Sequence, residues 1–251
     1  MSRPTLWAVI PVKSFACAKQ RLLSLLKAHE RAALARAMFE DVLQVLVRCP
    51  YLAGTLIVTN EAEAAAIARN AGASVLPDAP DAGLVPAVRH AVRTLVGARR
   101  AGMLVIPADL PLIKSADIEL IALTHRTSPA VTLVAASNDG GTNALACSPP
   151  DAMPICFGED SFRQHHNIAL TLGLAPKVLT LPRFGRDIDR PDDLFAFLEQ
   201  PSATRTHAYL VDSGIARRLR ELQAHTQMSD QAQAHFSKFT SDESAAFYQK
   251  V

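Results

Sequence analysis

The stretch Gly185 to Leu194, GRDIDRPDDL, places four aspartates within seven positions. They divide into two pairs. Pro191 suits the first position of a helix, and the residue before it, Arg190, is held extended by the proline ring. Asp192 and Asp193 then fall in the first helical turn, where carboxylates meet free N–H groups and the positive end of the helix dipole. Asp187 and Asp189 precede the helix. A spacing of two in extended chain puts both carboxylates on one face and turns Ile188 the other way, into apolar packing. Two like charges side by side are costly unless a cation lies between them. That cation is either a metal ion or the guanidinium of Arg186 or Arg190, and this stretch alone leaves both open.

A third carboxylate fits the first alternative. Asp109, in VIPADLPLI, follows a buried-type strand and is bracketed by Pro107 and Pro111. Carboxylates at the ends of two strands suit magnesium, which takes oxygen ligands and shares them between one or two acids and substrate phosphates. A turn or cap aspartate is the plainer alternative. The basic loop KSFACAKQR supplies Lys13, Lys19 and Arg21, with no acid before Glu30. Cations there, facing a metal, would bracket a polyphosphate. Nucleotidyl transfer requires chiefly such positioning and charge neutralisation. A solvated basic surface is the competing account. Further candidates are Gly83, where backbone can approach a base closely, and Thr142 in GGTN. Gly158 and Ser161 precede a helix start that could take an anion, with Ser161 as a simple N-cap the alternative. His90, His165 and His166 read as surface or packed residues. The glycine patterns of dinucleotide, P-loop and serine-hydrolase sites are absent from the sequence.

These residues need a scaffold. LWAVIPV, TLIVT, SVLP and MLVIPADLPLI read as strands, alternating with helical patterns at about 30–48, 61–72 and 87–96, the last opened by Pro86. Ser115 is expected to cap a helix to about Thr124. AVTLVAAS and NALACS flank NDGGT as a hairpin-like pair; a helix over SFRQHHNIALTLGL, the strand KVLTL and the Pro191 helix follow. DAPDAG reads as a turn. Such alternation predicts an α/β fold with a mainly parallel sheet covered on both faces, and ligands at the carboxyl ends of the strands. KSFACAKQR, PADLP and RFGRDID all fall at strand ends.

Composition narrows the class. The 251 residues carry 26 basic and 24 acidic side chains, a net charge of +2 that favours neither nucleic acid nor a membrane surface. The four cysteines are scattered without a CxxC pair. No apolar run approaches about 18 residues, and the N-terminal run is short for a signal peptide, so a reducing, cytoplasmic setting is expected. Residues 1–200 are expected to form the main domain. Residues 201–251 are expected to be an extension, partly helical or flexible, with Ile215, Leu219 and Leu222 at helical spacing. Leu219 and Leu222 would dock it on the main domain or on a second subunit, the latter making a homo-oligomer; a flexible surface arm is the alternative.

IPVKSFACAKQRL, PADLPLI, DGGTNAL, FGEDSFRQH and DIDRPDDL, in this order, resemble the 2-phospho-L-lactate guanylyltransferases and their phosphoenolpyruvate and 3-phospho-D-glycerate relatives in coenzyme F-420 biosynthesis. The resemblance spans about Trp7 to Leu198. It implies a nucleotide-diphospho-sugar transferase-like (GT-A-like) three-layer sandwich and transfer of GMP from GTP to a small phosphorylated acid, with pyrophosphate released. Position by position, it implies Asp109, Asp187 and Asp189 as magnesium ligands, with Lys13, Lys19 and Arg21 at the nucleotide, where Gly83 is placed by its backbone freedom alone. It implies Thr142, Gly158 and Ser161 at the acid. Lys19, Arg21 and Asp109 would act on the reacting phosphates, and a downstream transferase would accept the unstable product. Guanine specificity comes from the resemblance alone. One position departs: GLV stands where the family reads Gly-Leu-Asn, so Val85 replaces an amide. The altered residue leans the acid toward 3-phospho-D-glycerate over phospholactate and phosphoenolpyruvate. Another nucleotidyltransferase of the same fold, of molybdopterin or sugar-phosphate type, would carry glycines in the loop from Lys13 to Arg21, which has none. A catalytically silent nucleotide-binding protein would have no need of three converging acids.

Overall fold

A computed structural model describes residues 5–78, 83–126, 128–136 and 140–225. Apolar runs form the strands β1 (Leu6–Pro11), β2 (Gly54–Val58), β3 (Ser74–Leu76), β4 (Gly102–Val105), β5 (Ala130–Ala135), β6 (Thr142–Ser148) and β7 (Lys177–Leu179). Between and after them run α1 (Ala28–Val47), α2 (Ala62–Asn70), α3 (Leu84–Gly97), α4 (Ser115–Thr124), α5 (Ser161–Thr171), α6 (Pro191–Leu198) and α7 (Arg205–Asp212). The described strands make one seven-stranded sheet in the order β3-β2-β1-β4-β6-β5-β7. All neighbours are parallel except β6, which runs antiparallel to β4 and β5.

Side chains alternate across the sheet. Val9, Leu56, Val58, Met103, Val105 and Leu145 share a core with Ala87, Val88, Ala91 and Leu95 of α3 and Ala169 of α5. The intervening Ala8, Ile10, Ile57 and Leu104 are fully buried or nearly so on the other face, where α1 contributes Leu34, Met38, Val42 and Leu46 at helical spacing. Both faces are covered, so the strands read as continuous apolar runs.

The topology sets where a ligand can bind. From β1 the chain winds outward through β2 to β3, then returns to place β4 on the other side of β1. Loops leaving β1 and β4 therefore diverge and open a crevice at their carboxyl ends. Because β6 is antiparallel, its first residues, Thr142 and Asn143, lie at this same end of the sheet.

Three local expectations are corrected. Helix α3 begins at Leu84 with Gly83 in the cap position, not after Pro86. The first four N–H groups of a helix lack intrahelical partners, so a proline there sacrifices no bond. Ser115 is the first residue of α4 rather than its cap; the Asp117 carboxylate closes that end by accepting from Lys114 N at 2.8 Å. Strand β4 ends at Val105, and Asp109 stands beyond it in a turn. Residues 79–82 of DAPDAG and 137–139, reaching into NDGGT, lie outside the described residues.

The chain divides into two compact units, Met1–His207 and Ala208–Val251. In the second, the described residues are the end of α7 and a helix over 215–225. The rest of the extension, including SDQAQAHFSKFTSDESAAFYQKV, lies outside the described residues.

Candidate active site

The loop after β1 carries two short 3-10 turns, Phe15–Cys17 and Gln20–Leu22, anchored by buried Phe15 and Leu22. Between them Lys19 adopts a left-handed backbone, φ 53°. Its side chain turns inward: Nζ lies 2.8 Å from Asp109 Oδ2 and 2.6 Å from Asp189 Oδ1. Burial pushes its ammonium down, yet the charges of Asp109 and Asp189 outweigh burial and leave it above its ordinary value.

The stretch carrying Asp187 and Asp189 is fixed from several sides. Arg183 forks onto both oxygens of Asp117 at 2.7 Å each, a bidentate geometry that holds direction as well as distance. Phe184 is fully buried, and its carbonyl accepts from Asn143 Nδ2 at 2.7 Å. Ile188 N donates to Asp109 O at 3.3 Å, which ties this loop to the one after β4. Asp193 accepts from Asp189 N and Arg190 N at 3.1 and 2.8 Å, the helix-capping role expected of it. Ile188 is buried and Asp187 and Asp189 face a common cleft, as their spacing of two requires.

That cleft has a volume of about 680 Å³. Arg21, Asp109, Thr142, Gly158, Ser161, Asp187 and Asp189 line it. Lys13, Lys19 and Gly83 are not among its lining residues. Lys13 pairs with Asp78 at 2.6 Å, Lys19 is drawn under the acids, and Gly83 caps α3 with Leu84 reaching the cleft instead. Val85 is half-buried on α3 and also absent from the lining. The preference for 3-phospho-D-glycerate drawn from Val85 therefore loses its geometric basis.

The acids do not share one environment. Asp189 is pulled up by burial, but Lys19, Arg21 at 3.7 Å and Arg190 outweigh that and hold its carboxyl below the usual range. Asp187 is pushed up, first by burial and then by the charge of Asp109, which outweigh the opposing hydrogen bonds from Asn143 Nδ2 at 3.1 Å and from its own backbone N–H. Asp109 Oδ1 is buried with no hydrogen-bond partner, an arrangement costly for a carboxylate oxygen unless something else compensates it. Among the described residues no group of three or more acids, histidines or cysteines is placed to hold a metal. Lys19 Nζ occupies the space between Asp109 and Asp189. What remains is a pair, Asp109 and Asp187, under-compensated and open to the cleft. Two carboxylates fit a magnesium ion that takes its other ligands from phosphates and water.

The far part of the cleft is built by β6 and α5. Thr142 and Ser161 are buried, with Ser161 Oγ donating to Thr142 Oγ1 at 3.3 Å. Asp160, not Ser161, stands at the cap position of α5. Ser161 N and Phe162 N already donate to Gly158 O and Gly140 O, so those two amides of the helix start are spent. Gly158 has φ +128°, a region closed to other residues, and open space where a Cβ would stand. Asn143, Phe157, Glu159 and Arg190 also line the cleft and were not anticipated as site residues. Asn143 is an amide at the mouth of a buried strand, and Arg190 enters the sequence reading as the residue before a helix and as a possible counter-cation to the aspartate pair.

Residues 6–229 match the family model for guanylyl transferases described as CofC like. The chain is 37% identical over 197 residues to the phosphoenolpyruvate guanylyltransferase of Roseiflexus sp. (strain RS-1), covering 78% of this chain and 86% of that protein. It is 36% identical over 195 residues to the 3-phospho-D-glycerate guanylyltransferase of Colwellia psychrerythraea, covering 77% and 92%. Among solved structures, one from Desulfovibrio desulfuricans G20, described as a nucleotide-diphospho-sugar transferase, superposes with a TM-score of 0.69 at 16% identity, covering 86% of this chain and 98% of that one. A 4-diphosphocytidyl-2C-methyl-D-erythritol synthase gives 0.56 at 12% identity, covering 78% and 98%. These likenesses show the nucleotide-diphospho-sugar transferase type of fold.

Proposed function

The chain belongs to the CofC-like guanylyl transferase family, and from that premise we propose that it transfers GMP from GTP to a small acid bearing both a phosphate and a carboxylate. A phosphate oxygen of the acid attacks the α-phosphorus of GTP, the bond from that phosphorus to the bridging oxygen breaks, and pyrophosphate leaves. Phosphate is already ionised near pH 7, so no general base is required.

The observation that carries this reading is the Asp109–Asp187 pair, with an unpartnered buried oxygen on Asp109, facing a cleft also lined by Arg21 and Arg190. Two unit charges 4 Å apart repel by about 4 kcal/mol at an effective dielectric near 20, and the phosphates of donor and acceptor carry more than one each. Asp109 and Asp187 would hold magnesium, which when bound supplies the neutralising charge between the reacting phosphates. Arg21 and Arg190 bind the triphosphate and stabilise charge on the leaving pyrophosphate. Lys19 holds Asp109 and Asp189 in place from beneath. Thr142 and Ser161 receive the acid, and Gly158 keeps the floor free of a side chain. The pathway this reading implies is coenzyme F-420 biosynthesis, in the cytoplasm, with a downstream transferase taking the diester product.

Pyrophosphate release from GTP and magnesium is the test, run in parallel with 3-phospho-D-glycerate, phosphoenolpyruvate and 2-phospho-L-lactate. Release with one acid, lost in Asp187→Asn, is the expected result. Absence of release with all three overturns the proposal.

A further inference from the structure

His165 lies on α5 and is completely buried. Its Nε2 is 3.2 Å from the backbone nitrogen of Cys156. An amide N–H can only donate, so Nε2 must accept and carries no proton. The proton of a neutral imidazole then sits on Nδ1, 3.0 Å from Thr142 Oγ1. Burial keeps the ring neutral, with its pKa lowered to about 4, and the Phe157 ring meets it edge-on at 5.1 Å between centroids. The hydroxyl of Thr142 thus accepts from His165 Nδ1–H, and it accepts again from Ser161 Oγ at 3.3 Å. With both lone pairs engaged, its own proton has to point elsewhere, and Thr142 lines the cleft.

We propose that His165 is a positioning residue that fixes the polarity of Thr142: the backbone of Cys156 sets the tautomer, the tautomer makes the threonine oxygen an acceptor, and the threonine O–H is left to donate into the cleft, to an anionic oxygen of the acceptor acid. An unconstrained hydroxyl could instead turn its lone pairs toward that oxygen and repel it. The choice of ligand rests on the function proposed above; the tautomer and the direction of the hydroxyl do not.

The experiment compares wild type, His165→Phe, His165→Asn, Thr142→Val and the double variant Thr142→Val/His165→Phe, with KM for the acid and for GTP measured separately. Phenylalanine keeps the ring without its nitrogens; asparagine keeps a donor near the position of Nδ1. A hydrogen bond to a charged group is worth roughly a 10-fold change or more. We expect His165→Phe to raise the KM for the acid about 10-fold and to leave that for GTP within about 2-fold. His165→Asn should recover part of the loss, and the double variant should be no worse than Thr142→Val. Multiplicative effects in the double variant overturn the proposal, as does a rise in KM for GTP in place of the acid. Nitrogen NMR of the imidazole in the full chain gives a readout free of turnover. The Nδ1–H form supports the proposal and the Nε2–H form overturns it. If wild type turns over no acid, the function proposal fails and the ligand assignment with it, while the imidazole spectrum still decides whether His165 sets the hydroxyl.

Discussion

Replacing Lys19 by methionine should destabilise the fold and make it respond more strongly to magnesium. The ammonium lies 2.8 Å from Asp109 and 2.6 Å from Asp189, on a side chain only 8% exposed. Methionine keeps most of the stem and removes the charge. Breaking a buried ion pair costs about 3–5 kcal/mol. The two carboxylates are 25% and 37% exposed, so solvent recovers part of that and about 2–3 kcal/mol is expected. For a domain of this size, that is a fall in Tm of about 5–10 °C. The raised pKa of Lys19 puts its contribution fully in place below its unfolded value of 10.5, and the contribution is lost only as pH rises through the folded value; the deficit is thus complete at pH 7. Asp109 and Asp189 would then lack their internal cation beside Asp187, so magnesium should raise the Tm of the variant more than that of wild type, by binding preferentially to the folded state. Thermal unfolding at pH 7 with and without magnesium measures both effects. A change in Tm below about 2 °C, or an equal magnesium increment in both proteins, refutes the account of Lys19 as the group that holds these acids.

Asp187→Asn should abolish pyrophosphate release by about 100-fold or more while holding or raising Tm, because its carboxyl is destabilised by burial and by Asp109; a folded variant with retained turnover would remove Asp187 from the mechanism. Acid should weaken the fold through His125, whose ring is buried between Thr132 Oγ1 at 3.0 Å and Ser148 Oγ at 2.9 Å and whose pKa is lowered to about 4, by burial first and Lys177 second. A folded value below the unfolded one means that its share of stability is present above about pH 6.5 and is lost as pH falls toward 4, up to about 3 kcal/mol. Urea unfolding across that range should show a shallower slope in His125→Gln. Asp41→Ala should cost about 1–2 kcal/mol, since its carboxylate accepts from Arg205 N, Thr206 N and Thr206 Oγ1 at 2.8, 2.9 and 2.6 Å at the start of α7; chemical denaturation reads the loss, and turnover should not change.

Much of this protein is legible in its sequence. Continuous apolar runs such as Leu6 to Val12 and the one opening at Met103 read as strands covered on both faces, and their alternation with helical periods predicts a mainly parallel sheet with its crevice at the carboxyl ends. The GRDIDRPDDL stretch also divided correctly, because a proline at the start of a helix and a two-residue alternation are local rules that need no partner. Asp193 caps α6, and Asp187 and Asp189 face the cleft with Ile188 turned to the core.

What the tertiary structure alone decided is which charges face one another. Lys19 is one of three cations in a basic loop, and nothing in the order of residues distinguishes it from Lys13. In the fold, contacts across 90 and 170 positions turn Lys19 onto Asp109 and Asp189, while Lys13 goes to Asp78. The same holds for His165, read as a packed or surface residue, because its tautomer depends on a backbone amide nine positions away and a hydroxyl 23 positions away. Periodicity reports which side of an element is buried. Electrostatic and hydrogen-bond partnership depends on distances of a few ångströms between elements, and those distances are set only when the sheet brings the ends of β1, β4 and β6 together.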